Sequence, residues 1–154
     1  MVEKNYTVKQ WIDLFKKLPN SVKLEEGARR EDILQYLKAH QYQVPEEYVE
    51  FMELANGADL FHGKVNIWKI PVDAKEEIPK WKSMEFMNLE STKSAYPDVD
   101  GVFLFAGNYL GDYIGFCMKD TEFDVIYISP ETQESWNYYT FCDWLGETWE
   151  EMGD

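Results

Sequence analysis

Apolar residues recur at two different periods along this chain, and the period changes near residue 60. In the first third the spacing is helical. Trp11, Leu14, Phe15 and Leu18 fall at i, i+3, i+4 and i+7 behind Thr7, whose hydroxyl suits an N-cap. Pro19-Asn20-Ser21 ends that stripe. A second helix is expected from about Glu31 to His40, with Ile33, Leu34, Tyr36 and Leu37 turned inward. A third opens at Pro45, which suits a first helical position, with Glu46 and Glu47 where the macrodipole favours anions. Its buried face is Tyr48, Phe51, Met52 and Ala55, and Asn56-Gly57 supplies the left-handed residue that closes it.

The pattern then turns to strands. Val65-Asn66-Ile67-Trp68-Lys69-Ile70 alternates with period two and is stopped by Pro71. Val102–Ala106, Tyr113–Met118 and Val125–Ile128 are nearly continuous apolar runs, joined by stretches too short for parallel crossovers. They read as antiparallel neighbours covered by helices on one face and by other parts of the chain on the other. The Gly107–Asp112 link, with two glycines and no cation, reads as a hairpin turn rather than a phosphate cradle. Short helical turns are expected around Asp73–Ile78 and Ser83–Leu89. Thr140-Phe141-Cys142-Asp143 has capping-box spacing and opens a last helix with Phe141, Trp144, Leu145 and Trp149 inward. Helices, then strands, then a helix describe an α+β domain. Its sheet is central, mainly antiparallel and of about four to six strands, with helices around it. A single domain is expected over residues 1–154, helical over about 7–57, sheet over about 64–129 and closed by a helix over about 140–152.

Composition supports a core, with 45% hydrophobic and 16% aromatic residues, and argues against disorder. Charge changes the picture more. The formal net charge is −14, and it is uneven. Residues 1–90 hold 13 basic and 16 acidic side chains, whereas residues 91–154 hold 2 basic and 13 acidic ones. Such a chain repels phosphate backbones and anionic membranes, so neither nucleic acid nor membrane is an expected partner. The longest uncharged run, Gly101–Gly111, is too short to span a bilayer, and the N-terminus has no secretory h-region. A cytoplasmic location is expected. Cys117 and Cys142 do not make a disulfide framework, and their apolar neighbours mark them as inert core thiols.

Catalytic signatures are missing. The two histidines, His40 and His62, have no metal-ligand spacing, and neither a nucleophile elbow nor a phosphate loop is present. Asp120, Glu122 and Asp124 alternate as calcium ligands do, but Val125 stands where an EF-hand needs glycine. No catalytic residue, metal or cofactor is expected. What remains is surface. Tyr109 and Tyr113 flank Asp112, Asp98 and Asp100 precede a strand, Asp120 and Glu122 lie in an acidic turn, and Trp136 precedes the last helix. Aromatics interleaved with acids are the candidate partner-binding residues, since aromatic rings give contact area at low entropic cost.

Two stretches carry a family resemblance. Val44-Pro45-Glu46-Glu47-Tyr48-Val49-Glu50-Phe51 through Asn56-Gly57 is the first. The second is the ordered set Val102–Gly107, Gly111-Asp112-Tyr113-Ile114-Gly115-Phe116, Val125-Ile126-Tyr127 and Phe141-Cys142-Asp143-Trp144-Leu145. Together they resemble the SUKH superfamily, in particular its Smi/Knr-like cell-wall-regulator branch, over about two-thirds of the chain. The resemblance implies an α+β protein-interaction domain without an active site. Bacterial members resemble immunity proteins that bind and neutralise toxin domains, often basic nucleases. Fungal relatives resemble regulators of cell-wall synthesis, which makes an endogenous partner the alternative.

Overall fold

The computed structural model describes residues 6–71, 102–118, 124–129, 135–138 and 140–152. The two short helical turns expected between residues 73 and 89 lie outside these residues.

Helix α1 (Val8–Lys16) starts from a complete capping box. The Thr7 hydroxyl accepts from the Gln10 N–H at 3.2 Å, and the Gln10 side-chain oxygen accepts from the Thr7 N–H at 2.9 Å. The helix buries Val8, Trp11, Ile12 and Phe15. Helix α2 (Arg30–Ala39) buries Ile33 and Leu37, whereas Leu34, expected inward, is 44% exposed. Ile33 and Leu37 stand at i and i+4 and define the buried stripe; Leu34 is rotated about 100° away from Ile33. Helix α3 (Glu46–Leu54) begins one residue after Pro45, which is extended and acts as N-cap. Arg30 of α2 pairs with Glu46 and, at 2.6 Å, with Glu53 of α3, tying the two helices together. Helix α4 (Phe141–Met152) is capped by the Thr140 hydroxyl, which accepts from the Asp143 N–H at 3.0 Å.

The sheet is one antiparallel meander, each strand pairing with the next in sequence. Its members are β1 (Lys23–Leu24), β2 (Ala58–Leu60), β3 (Val65–Ile67), β4 (Val102–Asn108), β5 (Tyr113–Cys117), β6 (Val125–Ile128) and β7 (Ser135–Tyr138). Six strands of three to seven residues make up the sheet, and the two-residue β1 extends its edge. This is the α+β arrangement expected from the sequence. It extends beyond the 64–129 stretch at both ends, because β1 and β2 are too short to display a period and β7 follows an acidic, polar segment. A bulge between Leu104 and Ala106 interrupts the β4–β5 ladder. At Gly115 a Cβ would lie 2.5 Å from the Phe103 carbonyl oxygen, so no side chain fits where these strands approach.

Helix layer and sheet meet in an aromatic cluster around Tyr48. Its ring lies 5.9 Å from Phe103, 5.6 Å from Phe105, 5.3 Å from Phe116 and 5.9 Å from Phe141, and it is fully buried. Phe105 and Phe116 stack at 4.4 Å. Trp144 of α4 stands perpendicular to Phe105 and donates its indole N–H to the Tyr127 hydroxyl at 2.7 Å. Such aromatic pairs contribute about 0.5–1.5 kcal/mol each beyond the area they bury.

One buried polar residue organises the chain between α3 and β3. Asn56 is 2% exposed. It donates its amide to the Ile70 carbonyl and accepts from the Ile70 N–H, both at 2.9 Å, replacing a strand partner there. Gly57 follows at φ 103°, as expected for the residue that turns the chain after the helix. Asn56→Ala leaves both backbone groups of Ile70 buried and unpaired, and should lower the unfolding free energy by about 2–4 kcal/mol. Urea titration checks this: the midpoint falls with an unchanged slope, and a loss below about 0.5 kcal/mol contradicts the role assigned to Asn56.

Candidate functional site

The β4–β5 turn carries the most exposed large apolar side chains among the described residues, Tyr109 at 61% and Leu110 at 67%. The turn itself is fixed. Asn108 accepts at Oδ1 from the N–H groups of Leu110 (3.1 Å) and Asp112 (3.0 Å), and its amide donates to Asp112 Oδ2 at 3.1 Å. The Gly111 N–H donates to the Asn108 carbonyl at 3.1 Å, with Gly111 at φ 88°. The Tyr109 N–H donates to the Lys64 carbonyl at 2.8 Å, which bolts this turn to the β2–β3 turn.

The described residues among those singled out from sequence stand in different surroundings. Tyr109 is exposed, whereas Asp112 is only 9% exposed and acts as a strut of the loop. Tyr113 is half-buried, edge-on to Trp68 at 6.3 Å. Trp136 lies in β7 opposite Tyr127 in register. Asp98, Asp100, Asp120 and Glu122 lie outside the described residues. Cys117 and Asp124 stand at the far end of the sheet. There the Cys117 N–H donates to the Asp124 carbonyl and Cys117 pairs with Val102. The seven residues of β4 put roughly 20 Å between that end and Tyr109. Sequence reading missed Leu110. Its signal was an apolar side chain in a glycine-bounded turn.

A second surface is assembled by α3 and α4, which pack against each other. Helix α3 carries Glu46, Glu47, Glu50 and Glu53, helix α4 carries Asp143, Glu147, Glu150 and Glu151, and neither carries a basic residue. Glu47, Glu50 and Asp143 converge around the half-buried Cys142, and Glu47 accepts a hydrogen bond from its thiol. Burial is the main cause that pushes this thiol far above its ordinary range, and the three carboxylates add to it. Glu151 also holds its proton more tightly than usual, first through burial and then through Glu147 and Glu150. Glu150 and Glu151 stand in the last turn of α4, where the macrodipole disfavours anions. Acidity read from sequence as a property of the last 64 residues thus includes α3, whose glutamates at i, i+4 and i+7 were the missed signal.

His40 is stacked on Tyr42 at 5.6 Å with Nδ1 2.9 Å from the Tyr36 carbonyl. Among the described residues no group of three His, Cys, Asp or Glu is placed to hold a metal ion. No helix among them is long and apolar enough to cross a membrane. An open groove of about 920 Å³ runs between α2 and α3, floored by Leu34, Leu37, Tyr42, Val44 and Val49.

A family model described as SMI1 / KNR4 family (SUKH-1) matches residues 27–152. Comparison with curated proteins finds no match.

At about pH 8 the Cys142 thiol stays protonated in the folded chain. Iodoacetamide should therefore label it at least about tenfold more slowly than in the guanidinium-unfolded chain. Glu47→Gln with Asp143→Asn should speed labelling only modestly, because burial dominates. Peptide mass mapping over time checks both rates, and equal labelling of folded and unfolded chain contradicts the assignment.

Proposed function

The chain belongs to the SMI1 / KNR4 family (SUKH-1), and from that premise we propose that it is a non-catalytic protein-binding domain. In this reading it is a bacterial immunity protein, acting in the cytoplasm, that binds and neutralises a cognate toxin domain, nucleases among them. The observation that carries the reading is the acidic face of α3 and α4. Eight carboxylates on two adjacent helices, with Arg30 of α2 pairing two of them, are electrostatically costly for an isolated domain. A cationic partner relieves that cost. A nuclease domain is commonly basic because it must hold phosphates, so this face would draw it in.

Steering of this kind raises association rates to about 10⁸–10⁹ M⁻¹s⁻¹ at low salt. It supplies rate and orientation rather than affinity, which comes from desolvated anchors.

The reading is tested by co-expressing the chain with the product of the gene directly upstream of its own. Host survival with a stable one-to-one complex is the expected result. A harmless upstream product that forms no complex contradicts it and favours an endogenous regulatory partner. Once a complex is in hand, Glu50→Lys with Asp143→Lys should slow association about tenfold at low salt and flatten its salt dependence, leaving dissociation nearly unchanged. Stopped-flow rates across a salt series decide this, and unchanged kinetics remove the acidic face from the interface.

A further inference from the structure

Asn56-Gly57 is the one Asn-Gly pair in the chain, and in such a pair the backbone attacks the asparagine side chain most readily. The nitrogen of the following residue must reach the side-chain carbonyl carbon, and glycine has no Cβ to hinder the approach. Both members are built into the junction between α3 and β2. Asn56 satisfies both backbone groups of Ile70. At Gly57, with φ 103°, a Cβ would lie 2.9 Å from Lys69 Cγ and 3.1 Å from the Ile67 carbonyl oxygen.

In the closed fold the reaction is blocked at three points. The Asn56 amide is buried and pinned, since Nδ2 donates to the Ile70 carbonyl and Oδ1 accepts from the Ile70 N–H. The attacking nitrogen is engaged, because the Gly57 N–H donates to the Ala55 carbonyl at 2.9 Å. The chain before α2 then straps the pair from outside. The Asn56 N–H donates to the Glu26 carbonyl at 3.2 Å, and the Gly57 carbonyl accepts from the Glu25 N–H at 3.0 Å.

Opening of the junction releases these bonds together. The Gly57 nitrogen, having lost its proton to solvent base, attacks Asn56 Cγ. The new C–N bond closes a cyclic succinimide, and the side-chain nitrogen leaves as ammonia. Water adds to either ring carbonyl and returns aspartate or isoaspartate. Neither product restores the closed state. Aspartate has no N–H for the Ile70 carbonyl and sets a carboxylate oxygen against it in a buried site. Isoaspartate lengthens the backbone by a methylene where the turn is tightest.

We infer that Asn56 is a modification site gated by the fold: closed chains keep the amide, and a chain that opens between α3 and β2 is converted by water into one that does not close again. The domain thereby limits its own lifetime once it opens. The inference stands apart from the toxin-neutralising reading, because it needs no partner and concerns a buried junction.

The full chain is held in mildly alkaline buffer and, in parallel, in urea above its unfolding midpoint, and the peptide containing Asn56 is followed by mass spectrometry. Conversion should be at least about thirtyfold slower in the folded chain, because reaction through an open form tracks the population of that form. For the same reason the rate should rise with urea below the midpoint. After dilution from urea, the refolded fraction should carry intact Asn56, with converted chains gathered in the fraction that stays unfolded. Asn56→Asp should reproduce the defect as a lowered urea midpoint or a failure to fold. A smaller rate difference between the two states, or converted chains that refold with an unchanged midpoint, would overturn the inference.

Discussion

The contact of Tyr48 with Phe103, Phe105, Phe116 and Phe141 is the constraint on which the rest of the molecule depends. One ring from α3 touches two strands and the start of α4 at once, so it fixes the rotation of α3 about its own axis. A helix whose inner stripe is set has its outer stripe set as well. With Tyr48, Phe51 and Met52 inward, Glu50 points to solvent, and with Phe141, Trp144 and Leu145 inward, Asp143 does the same. The acidic face is thus a consequence of aromatic packing. It needs no loop of its own, and it is as rigid as the core beneath it.

Rigidity of that kind has an electrostatic cost that the fold retains. The raised proton affinity of Glu151 means that the folded chain favours its neutral form relative to the unfolded chain. Its contribution therefore weakens the fold as pH rises through the carboxylate range, and the penalty disappears as pH falls. Proteins that carry such penalties generally do so at sites of function, where removing them would raise stability at the expense of activity. The Arg30 clasp shows the alternative solution. Where α2 meets α3, Glu46 and Glu53 receive a countercharge. Neither α3 nor α4 supplies one of its own along the Glu47, Glu50 and Asp143 surface.

Legibility from sequence followed the length of each repeating pattern. The stripes Trp11, Leu14, Phe15, Leu18 and Tyr48, Phe51, Met52, Ala55 each span about two turns, and β4, β5 and β6 are dense apolar runs, so all of these were readable. Strands β1 and β2 hold two and three residues and have no period to read. Leu34 was misplaced because one apolar residue beside Ile33 cannot show which of the two lies on the stripe. Asp112 looked like a surface acid by its neighbours, yet the Asn108 side chain folds it into the turn. The acidic face was hidden for a different reason. An acidic face built from α3 and α4 joins residues nearly a hundred positions apart, and linear charge counting assigned the two halves to different regions.

The two turns at the sheet end complete the physical picture. A left-handed run at Phe61, His62 and Gly63 survives because burial of Phe61 against Phe15 and Trp149 outweighs the backbone strain. The same burial leaves His62 no inward option, and the bond from the Tyr109 N–H to the Lys64 carbonyl carries the constraint to the neighbouring turn. Exposure of Tyr109 and Leu110 is therefore enforced by the core, just as exposure of the carboxylates is. One aromatic interior presents an anionic face on its helices and an exposed apolar turn at the end of its sheet.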